Sequence, residues 1–206
     1  MLLEKGKADP NLKDREDVTP FLLACREADV ISLEALLEHG ACLMIRDNHG
    51  RNAIDFAAQS GDFEIITKVG TRVNTNITIA RDTYDRNTLH YLWERFPAED
   101  SVEYLLKEGV GANDLDHEGY SPMMTMVKSM NLIYAQDAIR FTQHLIQAGA
   151  EISIRCPQTG LGLHHININD VEFDLDLMKY LASLGVRFHD KDRKWKTLLH
   201  HSAKSG

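Results

Sequence analysis

The sequence is poor in the features that would place it in most of the specialised protein classes. Three cysteines, Cys25, Cys42 and Cys156, are an odd number with no Cys-x-x-Cys pair. Disulfide frameworks and cysteine-built zinc sites need more, so a reducing compartment is the plain reading and each thiol reads as a small buried hydrophobe. No apolar run approaches the roughly 18–20 residues that a helical membrane span requires. The opening residues, Met-Leu-Leu-Glu-Lys-Gly, put an acid and a lysine where a signal peptide has its apolar stretch, which argues against secretion by that route. Positive charge is also scarce: 23 Lys and Arg face 31 Asp and Glu, a formal net charge of −8. Such a balance disfavours a phosphate-backbone binder, and no nucleic-acid partner is expected. The hydrophobic share of 43% is that of a globular chain rather than a disordered one.

What the sequence has in plenty is itself. Similar segments open at Asp14, Asp47, Asp82, Asp116, Cys156 and Asp192, 33 to 40 residues apart, and five of the six begin with aspartate. A second marker, Lys7, Gly40, Thr75, Gly109, Gly149 or Gly185, precedes Thr19, Asn52, Asn87, Ser121, Leu161 and Thr197 by 12 residues in every copy. The rest of each unit varies in length, so one part is held fixed and the other tolerates insertion. Glycine after an apolar run stops a helix in the left-handed conformation. Proline in Thr19-Pro20 and Ser121-Pro122 starts one, because its missing N–H has no partner there anyway. Aspartate, asparagine and glycine between them mark turns. Each unit therefore reads as a turn-rich finger, a short helix, a connection and a second helix carrying paired apolar residues such as Leu36-Leu37, Leu105-Leu106, Leu145-Ile146 and Tyr180-Leu181.

These segments resemble the ankyrin-repeat family, whose unit of about 33 residues carries Thr-Pro-Leu-His-x-Ala at its first helix. The carriers are Thr19-Pro20, Ser121-Pro122, Thr88-Leu89-His90, Leu163-His164 and Thr197-Leu198-Leu199-His200, with Ala24, Ala57-Ala58 and Gly61 at small positions. Asp55 stands where the histidine is expected and Leu161-Gly162 where Thr-Pro is, departures expected to weaken the local geometry. The resemblance implies an all-α fold with β-hairpin fingers, a solenoid of stacked helix-turn-helix units. The expected organisation is one domain over 1–206. Its partial repeats lie at 1–13 and 192–206, with repeats at 14–46, 47–81, 82–115, 116–155 and 156–191. Leu198 and Leu199 close the sequence without a polar cap, so the chain is expected to be a piece of a longer protein.

A search for chemistry returns little. The resemblance places His90, His164 and His200 at a structural position, where the imidazole ties finger backbone together. His164-His165 and His200-His201 lack metal-ligand spacing, and His189-Asp190 reads as a turn. Glu172, Asp174 and Asp176 suit the start of a helix beginning at Leu175. Gly160-Leu161-Gly162 fails the dinucleotide fingerprint. Asn76-Ile77-Thr78 matches a glycosylation acceptor without an export signal to use it. Met123, Met124, Met126 and Met130 read as core, and the stretch Ser129 to Asp137 as an insertion. No catalytic residue, cofactor or metal site is expected.

The expected function is non-enzymatic recognition of a partner protein or peptide. The resemblance places that contact on the concave surface of finger tips and first-helix ends. Tyrosine and arginine concentrate binding energy, which selects Arg51, Tyr84, Arg86, Arg95, His117 and Tyr120. Arg193, Lys194, Lys196 and Lys204 form a separate basic end. Asn11 and Asn113 occupy the finger asparagine that some ankyrin proteins present for hydroxylation. The alternative function is a targeting or autoinhibitory segment of a larger enzyme, channel or ubiquitin ligase. The expected setting is the cytoplasm, or the nucleus, with further repeats or domains of the same chain as neighbours.

Overall fold

A computed structural model describes residues 8–73, 80–95, 97–129, 135–160, 162–163 and 175–203. The chain divides into two compact units, Met1–Gly111 and Ala112–Gly206. Helices of the first unit are α1 (Pro20–Arg26), α2 (Val30–Glu38), α3 (Ala53–Ser60), α4 (Phe63–Val73), α5 (Thr88–Tyr91) and α6 (Glu99–Lys107). Those of the second are α7 (Pro122–Ser129), α8 (Ala135–Gln147), α9 (Leu175–Ser183) and α10 (Leu198–Ser202). His164, His165, Glu172, Asp174, Met130, Lys204, the glycosylation-like tripeptide and most of the Ser129–Asp137 insertion lie outside the described residues.

The helix starts follow from side chains. Thr19 Oγ1 accepts from the Leu22 amide at 3.4 Å with Pro20 in the first turn. Asn52 and Asn87 cap α3 and α5, accepting from the Ile54 (2.9 Å) and Leu89 (3.1 Å) amides. In the reciprocal half of each capping box, Asp55 Oδ2 accepts from the Asn52 amide (3.0 Å) and His90 Nδ1 from the Asn87 amide (3.1 Å). Asp55 thus makes the reciprocal capping bond that His90 makes in α5.

The helix ends follow from glycine. Gly40, Gly109, Gly149 and Gly185 all have φ between 85° and 95°. Each donates to the carbonyl three residues back while the next residue donates five back, as in Gly40 to Leu37 (3.1 Å) and Ala41 to Leu36 (2.9 Å). This double closure turns the chain out of the second helix and into the finger.

In the first unit α1 packs on α2 and α3, and α3 on α4 and α5. Phe21, Leu22, Leu33, Ile54, Phe56, Ile65, Ile66, Leu89 and Leu105 are buried there. In the second, α8 packs on α7 and α9 around Met123, Met124, Met126, Phe141, Leu145 and Leu181. These methionines are core. The segments expected as β-hairpin fingers contain no strand among the described residues; the single bridge pairs Arg155 with Gly162. Turns take their place, for a reason the aspartates supply below.

Between α1 and α2 the chain passes through Ala28 at φ 55°, where the matching turn after α3 has Gly61 at φ 71°. A Cβ in the left-handed region costs about 1–2 kcal/mol, partly offset by glycine's greater loss of freedom on folding. Ala28→Gly should therefore raise unfolding stability by about 0.5–1 kcal/mol, read from the urea midpoint. An unmoved or lowered midpoint would mean that Ala28 is unstrained.

Candidate functional site: finger tips and helix ends

Among the described residues, five fingers are each built around one carboxylate oxygen. Asp14 Oδ1 accepts from the amides of Glu16 (2.8 Å) and Val18 (2.9 Å), two and four residues on. Asp47 does so with His49 and Arg51, Asp82 with Tyr84 and Arg86, and Asp192 with Lys194 and Lys196, all at 2.8–3.0 Å. Asp116 takes the Tyr120 amide at 2.8 Å. The backbone closes round each, as when the Asp82 amide donates to the Arg86 carbonyl (3.1 Å) and the Asp85 amide back to Asp82 (3.2 Å). A five-residue loop with its interior amides satisfied in this way has no need of a strand ladder. At Cys156 the thiol substitutes, accepting from the Thr159 amide at 3.4 Å.

Within each unit, neighbouring fingers are joined. Asn48 donates to the Glu16 carbonyl (3.0 Å) and Thr83 to that of His49 (2.8 Å); in the second unit Arg193 donates to Thr159 (3.0 Å). Further back, the Asn11 amide spans from the Gly40 carbonyl (3.0 Å) to the Cys42 N–H (2.7 Å). Asn113 does the same with Gly149 (2.8 Å) and Glu151 (2.7 Å). Each side chain ties together segments of its own compact unit that lie 29 to 38 residues apart in sequence.

The tip residues divide into those turned outward and those tied down. Tyr84 is 44% exposed, with the His49 ring 6.0 Å away and the Arg86 guanidinium 5.1 Å from its centroid. Arg86 also lies 5.9 Å from Tyr91, so the tip is a small aromatic and cationic platform. Arg51 turns inward: its Nε donates to Asp47 Oδ2 at 2.7 Å, its guanidinium lies 4.7 Å over Phe56, and its side chain is 17% exposed. Arg95 sits at the first-helix ends, bonded to Glu27 Oε2 (3.1 Å) and the Arg26 carbonyl (3.4 Å). Arg95, then Arg26, hold the Glu27 carboxyl below its ordinary value. Next to it Gln59 donates to Glu94 at 3.0 Å, so the C-terminal ends of α1 and α3 and the residues after α5 form one polar row. In the second unit, His117 is exposed and Tyr120 half-buried, with the Lys128 ammonium 4.4 Å from the Tyr120 ring. Burial, with Glu118 and Asp116 adding to it, raises the Tyr120 phenol.

The structure therefore brings Tyr84 and Arg86 together, sets Arg95 in a different cluster, and ties Arg51 to its own turn. His49 and Lys128 were legible as tip and helix-end positions, though nothing in the sequence marks them as stacking on tyrosines. Trp195 was missed altogether. Its signal was a bulky aromatic where the four other aspartate-opened copies carry Gly or Asp.

Groups with reactive character are spent structurally. Burial pushes the Cys25 thiol up to about 12, which removes its thiolate at neutral pH. Asp190 pairs with Arg155 and with Arg187 (3.2 Å). Asp176 opens α9 and meets Lys179 at 3.4 Å. Among the described residues no three or more His, Cys, Asp or Glu side chains converge to hold a metal ion. No described helix is long and apolar enough to cross a membrane.

One buried acid responds to pH. Asp55 Oδ1 accepts from Thr88 Oγ1 at 2.9 Å, linking α3 to α5. Burial moves its carboxyl from 3.8 up to about 6; the hydrogen bonds from Asn52 and Thr88 and the charge of Arg46 oppose the rise, and Asp82 adds slightly to it. With the folded value above the ordinary one, the stabilising effect is complete below about 3.8 and lost as pH rises through about 6. Relative to Asp55→Asn, the wild-type chain should lose about 2 kcal/mol of stability between pH 4.5 and 7.5. Parallel stability curves for the two proteins would contradict this.

Comparison with known proteins agrees with the geometry. A family model described as ankyrin repeats (3 copies) matches residues 1–81. The transient receptor potential cation channel subfamily A member 1 of Drosophila melanogaster is 23% identical over 200 residues, which are 94% of this chain and 16% of that protein. The chain thus spans about a sixth of the length of that relative. Residues 1–81 carry ankyrin repeats, the family that the recurring segments resemble. Ankyrin repeats are in general protein-interaction modules, and typically not enzymes.

Proposed function

We propose that the chain is a recognition module that binds a partner protein through its finger tips and first-helix ends. The repeats continue beyond residue 81 with boundaries at 82, 116, 156 and 192. The same aspartate-centred turn at Asp116 and Asp192, and the same glycine closure at Gly149 and Gly185, support that continuation. Binding rests on Tyr84 above all, an outward aromatic held between His49 and Arg86 and so presented with little side-chain freedom left to lose. Tyr120, braced by Lys128 beside exposed His117, is the counterpart in the second unit. Arg95 contributes through the helix-end row, and Arg51 by holding its finger in shape. Three unpaired cysteines, one of them exposed, favour a reducing compartment such as the cytoplasm or nucleus.

A second reading has a specific observation behind it. Similarity over 94% of this chain to a small part of a channel fits a targeting or regulatory segment within a larger protein. In that case the partner is another part of the same polypeptide or its assembly.

Affinity capture with the wild-type chain identifies the partner, and its dissociation constant is then measured against Tyr84→Ala/Tyr120→Ala. The double substitution should weaken binding by more than tenfold, at about 1.4 kcal/mol for each factor of ten. An unchanged constant discards this surface.

A further inference from the structure

The fourth residue of each aspartate-centred finger stands in the left-handed conformation. Asp17, Gly50, Asp85 and Gly119 have φ of 62°, 79°, 58° and 82°. Glycine or a short polar side chain suits that geometry. Trp195 occupies it in the last finger at φ 62°, and it is 75% exposed. A bulky aromatic held in a disfavoured backbone region with most of its surface in water buries little for the fold. Strain of that kind points to use at a contact.

The surroundings state what kind of contact. Lys191, Arg193, Lys194 and Lys196 fall within six residues, in a chain whose net charge is −8. The Lys191 ammonium lies 4.8 Å from the Trp195 ring. The one acid among them, Asp192, turns its carboxylate inward to the Lys194 and Lys196 amides at 2.8 Å. The tip is therefore an indole with one lysine against its ring and Arg193, Lys194 and Lys196 within two residues of it in sequence.

A further finger stacked in register is a poor occupant. At Gly50 a Cβ would come within 3.1 Å of the Thr83 amide, and at Gly119 it would collide with the Cys156 thiol. The fourth position thus faces the following finger. Asp17 coexists with a neighbour as a short carboxylate paired with Lys13, 3.2 Å away, and an indole is far larger than either occupant. A nucleic acid is also disfavoured, since one aromatic and one tight cluster of cations provide neither a stacking series nor a track for a phosphate backbone. Resting on the reading of the chain as a recognition module, we propose that residues 191–196 dock an acidic, partly apolar segment of a partner protein. The Trp195 indole is the anchor, and Lys191, Arg193 and Lys194 form the cationic rim.

The test uses the full chain and a fluorescein-labelled peptide of alternating Glu and Leu, followed by anisotropy and by tryptophan emission. A Lys and Leu peptide and oligothymidylate serve as comparisons. The acidic peptide should bind, with affinity falling as salt is raised. Trp195→Ala and the pair Arg193→Glu/Lys194→Glu should each weaken it by at least tenfold, while Tyr84→Ala leaves it unchanged. Trp195→Gly should lose binding equally yet raise Tm by roughly 2–4 °C, because the backbone strain is relieved. Absent binding, equal binding by the Trp195 variants, or tighter binding of oligothymidylate overturns the proposal. Those results leave the Tyr84 surface untouched, whereas an unchanged partner affinity in Tyr84→Ala/Tyr120→Ala with this peptide still bound overturns only that surface.

Discussion

The acceptance of two backbone amides by one aspartate oxygen is the interaction on which the rest of the structure depends. The loop from the opening residue to the fourth beyond it would otherwise expose or bury unpaired N–H groups, at a cost of about 1–3 kcal/mol for each one buried. With Oδ1 taking the second and fourth amides, the loop closes on itself and its outer carbonyl is left facing the next finger. Asn48 and Thr83 use that carbonyl in the first unit. The carboxylate therefore sets both the shape of the finger and its bond to its neighbour.

Function inherits this arrangement. Because the second and fourth amides are pinned, the two side chains leave the finger close together, and Tyr84 and Arg86 meet face to cation there. The third interior position is forced into the left-handed region, and its occupant becomes a variable that the fold does not control. Glycine there admits a close neighbour; Trp195 offers a large exposed surface instead. A scaffold that fixes the backbone and leaves tip chemistry open is suited to recognition, and it also explains why scaffold and partner cannot be read from the same residues.

Much of the scaffold was legible in the sequence. The fixed interval of 12 residues predicted where helices stop and restart, and the glycine closures and Thr19, Asn52 and Asn87 caps lie at those places. What escaped were choices between equivalent hydrogen-bonding partners. Asp55 could replace histidine because a carboxylate accepts from the same amide, and a second oxygen remained for Thr88. Strands were expected where side-chain acceptors already satisfied the backbone. The tip was harder still: Arg51 and Arg86 hold the same place in their fingers, yet one folds back on its own aspartate and the other stacks on tyrosine. Two neighbours differ: Tyr84 stands where the other finger has His49, and the Tyr91 hydroxyl, where that finger has Phe56, donates to the Asp82 Oδ2 whose counterpart on Asp47 takes Arg51.

Hydrogen exchange at the first finger tests the central claim with the fewest side effects, since Asp14 Oδ1 serves the Glu16 and Val18 amides and the loop lies at one end of the series. Asp14→Ala should speed exchange of both amides and of Asn48, which depends on the Glu16 carbonyl, by tenfold or more, at a stability cost of about 1–2 kcal/mol. Asp14→Asn, which keeps the acceptor oxygen, should preserve most of that protection. Equal protection in Asp14→Ala and the wild-type chain would show that the fingers hold their shape without the carboxylate.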